Sequence, residues 1–128
     1  MKIEGRCIVA GIATGESMIS YEPISFLGDI DPKTGQIMAE RHPLKGKSIK
    51  GKIFAFPFGK GSTVGSYVIY QLFKNEKAPI AFLTQKADPI VAVGAIISGI
   101  PMMDNIDINK IPNDKKVSIN TELGIINY

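Results

Sequence analysis

The run Ile53-Phe54-Ala55-Phe56-Pro57-Phe58 restricts the fold more than any other stretch of the chain. A strand with one wet face alternates apolar and polar residues, whereas this run is apolar at both alternating sets. It therefore predicts a central strand covered on both faces, as in an α/β layered domain. Phe54, Phe56 and Phe58 share one face of that strand. They resemble a base-stacking platform, but Ile53 and Ala55 opposite are apolar too, so all three are assigned to the core.

The run breaks at Gly59-Lys60-Gly61-Ser62-Thr63, and a helical pattern follows to Asn75. Val64, Val68 and Leu72 fall four apart, with Ile69 and Phe73 widening the stripe. Small residues at a strand-to-helix junction leave backbone amides open, and together with the positive helix end they favour an anion. Ser62 falls at or beside the N-cap. A capping serine is also common for structural reasons alone and is worth roughly 1 kcal/mol. The turn is no nucleotide-binding loop, because Lys60 precedes Gly61 and no Gly-Lys-Ser exists.

Around this centre the chain reads as short elements. Residues 2–10 form a first strand interrupted by Gly5, Ile12 to Gly15 a turn, and Met18 to Tyr21 a short strand. Asp31-Pro32-Lys33-Thr34-Gly35 is turn chemistry, with Pro32 fixing φ and Gly35 supplying a positive one. Asp29 and Asp31 lack the further oxygen ligands of a calcium loop. Gln36 to Ala39 is another strand candidate. Ala78 to Leu83 reads as a buried strand, and Asp88-Pro89 opens a second helix, ending near Gly99. Gly94 and the alanines of that helix suit close packing against a sheet. A brief strand at Ile100 to Met103 leads to a polar loop, Asp104 to Asp114, and then a closing strand pair at Lys116–Ile119 and Gly124–Asn127. The expectation is one α/β domain over residues 1–128: a small parallel core, two helices and additional strands.

Composition narrows the chemistry. With 128 residues the chain can bury a core without disulfides, and a net charge of +3 does not compel a nucleic-acid partner. Four lysines between Lys45 and Lys52 could grip phosphates, but no second cluster reinforces them, so a solvated turn is expected. The single cysteine, Cys7, beside Ile8 and Val9, reads as a buried strand thiol. The single histidine, His42, precedes Pro43 and reads as an exposed or hydrogen-bonded loop residue, not a metal ligand. No apolar run approaches the roughly 18 residues of a membrane span, and no signal pattern opens the chain, so a cytoplasmic location is expected.

Several separate motifs together carry a resemblance. Ser25-Phe26-Leu27-Gly28 with Asp31-Pro32-Lys33-Thr34-Gly35, His42-Pro43-Leu44, and Gly51-Lys52 leading to Phe56-Pro57-Phe58-Gly59-Lys60-Gly61-Ser62-Thr63 occur in that order. Ala78-Pro79, Asp88-Pro89-Ile90-Val91-Ala92-Val93-Gly94-Ala95-Ile96 and Gly99-Ile100-Pro101 follow. From about Gly5 to Asp104 the chain resembles the stand-alone swivelling domain of the aconitase X family, a β/β/α domain. Asp29 departs from it, standing where many members have a second glycine after Gly28.

The resemblance implies a hydro-lyase split between two chains. A large catalytic subunit would carry a [4Fe-4S] cluster and most substrate contacts, and this chain would close over the site. In stand-alone archaeal-type pairs the implied reaction removes water from (R)-5-phosphomevalonate, giving trans-anhydromevalonate 5-phosphate in a modified mevalonate route to isoprenoids. Related members dehydrate hydroxyprolines. The serine of the glycine turn, here Ser62, is implied as proton acceptor. Lys60 and the amides of Gly61 and Thr63 are the expected contacts of a phosphorylated hydroxy-acid substrate. The cluster agrees with the cysteine count: it needs cysteine ligands, normally three, and one is present. The chain alone is expected to bind no cofactor, nucleic acid or membrane, and to be inactive without its large subunit. Two other classes stay open: a non-enzymatic phosphate- or nucleic-acid-binding module, and a purely structural subunit.

Overall fold

A computed structural model describes residues 1–128. In chain order its elements are β1 (Lys2–Glu4), β2 (Arg6–Val9), β3 (Ile12–Ile19), α1 (Phe26–Asp29), β4 (Ile53–Phe56), α2 (Gly65–Lys74), β5 (Ala81–Thr84), α3 (Pro89–Ser98), β6 (Met102–Asp104), β7 (Lys116–Asn120) and β8 (Ile125–Asn127). The α/β class, the parallel core and the two long helices α2 and α3 are as expected. α1 is a single tight turn with non-helical backbone at Leu27 and Gly28.

The eight strands pair in the order β1-β8-β7-β3-β4-β5-β6-β2. β3 to β6 run parallel, and the remaining pairs are antiparallel. The two ends of that order, β1 and β2, are consecutive pieces of one extended segment bent at Gly5. The sheet thus closes on itself. Only glycine fits the bend: a Cβ there would lie 2.7 Å from the Ile106 side chain and 2.8 Å from the Asp104 carbonyl. β3 makes the opposite corner. Its first part pairs with β7 and its last three residues with β4.

Two cores result, one on each side of β4. Ile53 and Ala55 point into the closed sheet with Ile19, Leu83, Met103, Val117, Ile119 and Ile126. Phe54 and Phe56 point to the helices and meet Val68, Ile69, Leu72, Val91 and Ala95. Phe26 from α1 and Phe82 from β5 complete an edge-to-face aromatic cluster, with centroids 5.7–5.9 Å apart. No helix is long and apolar enough to cross a membrane.

Six expectations are corrected. Ile12 to Gly15 is extended, not a turn, because β7 supplies a full antiparallel ladder from Asn120 to Val117. Phe58 lies beyond the end of β4 at Pro57 and is 41% exposed, so it leaves the core that Phe54 and Phe56 occupy. Cys7 is exposed: the bulge in β2 between Cys7 and Val9 carries it to the rim, where its thiol lies 3.9 Å from Thr121 Oγ1. The 104–114 loop is not simply polar, since Ile106, Ile108 and Ile111 fold inward and plug the closed sheet. Gln36 to Ala39 forms isolated bridges only, Gln36 with Ser48 and Ile37 with Ile30. Gly94, for its part, faces α2: a Cβ there would meet Ile69 at 2.7 Å.

Candidate functional site

The glycine turn sits where β4 ends and α2 begins, at the carboxyl end of the parallel strands. In open α/β sheets, ligands collect at that edge. Three attachments hold the turn. The Ile24 N–H donates to the Phe58 carbonyl (3.2 Å), and the Lys60 N–H donates to the Ile24 carbonyl (2.9 Å). The Gly59 N–H donates to Asp88 Oδ1 (2.8 Å), while Asp88 Oδ2 accepts from the Val91 N–H (3.2 Å) and so caps α3. One carboxylate therefore ties the turn to the start of the second helix. Sequence reading had found the cap but not this second role.

Gly61 has φ +86°, and a Cβ on it would collide with the Ser25 hydroxyl. That close approach brings the Ser25-Phe26-Leu27-Gly28 motif onto the turn. Asp29 holds this neighbouring loop, accepting from the Ser25 N–H at 2.8 Å, while the Asp29 N–H donates back to the Ser25 carbonyl (3.0 Å). Asp29 thus serves as a local clamp on this loop.

Gly61, Ser62, Thr63 and Val64 are all exposed. Ser62 Oγ accepts from the Val64 N–H at 3.2 Å, and the Gly65 N–H donates to the Ser62 carbonyl at 2.9 Å. Ser62 thus closes a local turn ahead of α2: the N-cap is Val64, with no side-chain cap, so of the two expected places Ser62 takes the one beside the cap. The N–H groups of Gly61, Ser62 and Thr63 donate to no protein acceptor. Three consecutive free amides just ahead of the positive end of a ten-residue helix are donors available to an anion. The Ser62 hydroxyl proton has no acceptor either, and no histidine or carboxylate stands within hydrogen-bonding distance of Oγ.

Lys60 is exposed and forms no ion pair. It lines a cavity of about 380 Å³ with Glu22, Asp29, Glu40 and His42. His42 is buried and does not reach Ser62. Its Nδ1 accepts from the Leu44 N–H (3.0 Å), so Nε2 carries the proton and donates to Ser20 Oγ (2.9 Å), which donates on to the Glu22 carbonyl (2.7 Å). His42 therefore fixes its loop, and of the two expected settings it takes the hydrogen-bonded one.

The lysine-rich stretch is spent partly on neighbours. Lys45 bonds Glu40 at 2.8 Å and holds that carboxyl below its usual range, and Lys52 bonds Glu16 at 2.7 Å. No three histidine, cysteine or acidic side chains come close enough to hold a metal ion. With a single exposed thiol on β2, these residues do not fit an iron–sulfur cluster.

Comparison with known proteins bears on the whole chain. The family model described as the aconitase X swivel domain matches residues 2–128. The phosphomevalonate dehydratase small subunit of Thermococcus onnurineus is 52% identical over 126 residues, covering 98% of this chain and 97% of the relative. That of Methanosarcina acetivorans is 60% identical over 107 residues, 84% of this chain and 74% of the relative. The crystal structure of Thermococcus kodakaraensis aconitase X in its holo form superimposes with a TM-score of 0.97 at 50% identity, over 99% of this chain and 97% of that one.

Proposed function

The chain belongs to the aconitase X swivel domain family, and from that premise we propose that it is the small subunit of a phosphomevalonate dehydratase. The reaction is the removal of water from (R)-5-phosphomevalonate to give trans-anhydromevalonate 5-phosphate. The observation that carries the reading is the Ser62 turn. It offers one exposed hydroxyl flanked by three free amides, at the strand edge where a carboxylate- and phosphate-bearing substrate would meet it.

In this reading Ser62 accepts the proton removed from carbon, while the hydroxyl leaves with help from the other chain. Ser62 cannot do this unaided. The helix end contributes about 0.3–2 kcal/mol toward an alkoxide, and one pKa unit costs about 1.4 kcal/mol. The turn alone thus shifts the hydroxyl by roughly a unit, far short of ionisation at neutral pH. The remaining activation comes from the partner on closure, with Lys60 adding positive charge. Lys60 and the Gly61 and Thr63 amides hold the substrate's anionic groups. The [4Fe-4S] cluster that the family implies belongs to the large subunit, because this chain has no set of ligands for it.

The test is reconstitution. The purified chain, its large subunit and the mixture are each assayed for water elimination from phosphomevalonate, with turnover expected from the mixture alone. Turnover by the isolated small chain would overturn the shared-site reading. Turnover of a hydroxyproline but not of phosphomevalonate would reassign the substrate to the sister activity.

A further inference from the structure

α3 runs from Pro89 to Ser98 without one charged residue. Val91, Gly94, Ala95 and Ser98 face inward. Its outward stripe is Pro89, Val93, Ile96 and Ile97, with Val93 44%, Ile96 60% and Ile97 59% exposed. A helix on a wet surface carries polar residues on its outer face, and one that is apolar all round is covered. α2 also exposes apolar side chains, Tyr67 at 60% and Phe73 at 46%, but it intersperses them with the polar Gln71 and Lys74, which α3 does not.

The stripe is continuous with the Ser62 edge. Pro89 lines a cavity of about 360 Å³ with Phe58, Lys86 and Asp88. Pro89 and Val93 line the next one, about 330 Å³, with Thr63, Ser66 and Ile90. A contiguous strip therefore leads from Phe58 past Thr63 to Ile97. At about 200 Å² for a whole large side chain, the exposed parts of Phe58, Val93, Ile96 and Ile97 come to on the order of 400 Å². A stable interface takes about 800 Å² from each partner. The strip supplies about half of that as an apolar centre, with the polar turn from Lys60 to Thr63 as rim.

We propose that the outer face of α3, from Phe58 to Ile97, is the surface on which the large subunit docks. The inference rests on the reading of this chain as a dehydratase small subunit. Whatever completes the Ser62 site must sit on this edge, and a second copy of this chain brings neither cluster ligands nor a free base. The uncharged helix also states what the partner offers along it: an apolar groove with no unpaired charge from Val93 to Ile97, and room for the exposed Lys86 at the Phe58 end.

The test measures association of the wild-type chain and variants with the cluster-loaded large subunit, by titration calorimetry or gel filtration. Ile96→Glu is expected to weaken the dissociation constant at least tenfold and to leave the free variant folded by circular dichroism. Ile12→Glu, at an exposed position on β3, is expected to leave it within twofold. Ile96→Ser, which removes apolar area without adding a charge, carries the measurement if the glutamate variant does not fold. Unchanged affinity in the Ile96 variants, with wild type binding normally, overturns the docking face and leaves the functional reading standing. A wild-type homodimer that Ile96→Glu dissociates, with large-subunit binding intact, assigns the face to self-association and likewise overturns it. A wild-type chain that does not bind the large subunit overturns the functional reading as well.

Discussion

β7 and α3 expose the two halves of this molecule to very different demands. β7 alternates cleanly, with Val117 and Ile119 inside and Lys116 and Ser118 outside. α3 keeps apolar residues on both sides. The closed-sheet half has its interior plugged by the chain's own isoleucines and a polar outer face on β7, although Ile12 and Leu123 stand exposed at its surface. The helical half is finished only on its inner side, and its reactive turn is open. The contrast separates residues that hold the fold from residues that await a partner, and substitutions can test that separation.

The largest effect is expected at the turn. Ser62→Ala in the assembled enzyme should lower kcat by about 10²–10⁴-fold, the range for a positioned proton-transfer group. The melting temperature of the free chain should move only slightly, since what is lost is one exposed turn bond from the Val64 N–H, worth about 1 kcal/mol. Wild-type turnover in that complex would erase the distinction between the halves at its sharpest point. Ile126→Ala should do the reverse. Ile126 is fully buried in the closed sheet, and its truncation should cost about 2–5 kcal/mol, on the order of 10 °C in Tm. Complexes that do assemble at low temperature should turn over normally.

A smaller effect is expected where the halves join. Asp104 on β6 is buried, which pushes its carboxyl up, but the Arg6 fork (2.8 and 2.7 Å) and the Ala87 N–H (3.0 Å) outweigh this and leave it below its usual value. Ala87 precedes Asp88, the clamp on Gly59, so this pair lies on the path from β2 to the turn. A carboxyl depressed on folding contributes stability above its unfolded pKa of about 3.9. That contribution is lost as pH falls through the lower folded value. Arg6 is largely solvent-exposed, which screens the pair, so Arg6→Ala should lower stability only modestly near neutral pH. Denaturant melts at pH 7 and pH 3 should then differ less in the variant than in wild type. An equal difference would remove Asp104 from the acid limb.

Local pattern gave β4, the turn, α2 and the Asp88-Pro89 start of α3, because each is written in one contiguous stretch with its own period or cap. What stayed hidden depended on partners distant in sequence. Ile12-Ala13-Thr14-Gly15 mixes strand formers with the poor formers Ala and Gly, and its pairing with β7 decides the outcome. Ile106, Ile108 and Ile111 look like loop residues until the closed sheet supplies a cavity to fill. Phe58 continues an alternation that Pro57 ends. At the site, Ser62 and its place beside the start of α2 were legible, whereas the Gly59–Asp88 bond and the approach of Ser25 to Gly61 join residues that no local rule connects.

The bend at Gly5 also governs the order of folding. β1 pairs with β8, residue Lys2 opposite Asn127, while β2 needs only β6. The parallel strands and both helices can therefore assemble first, with the earliest residues waiting for the last. Ring closure is a late step of very high sequence separation, which slows folding. Until it occurs, β1 and β8 present unpaired edges to other chains. A synthesis pause before residue 125 should hold the protein in that open state, with its helical half already formed.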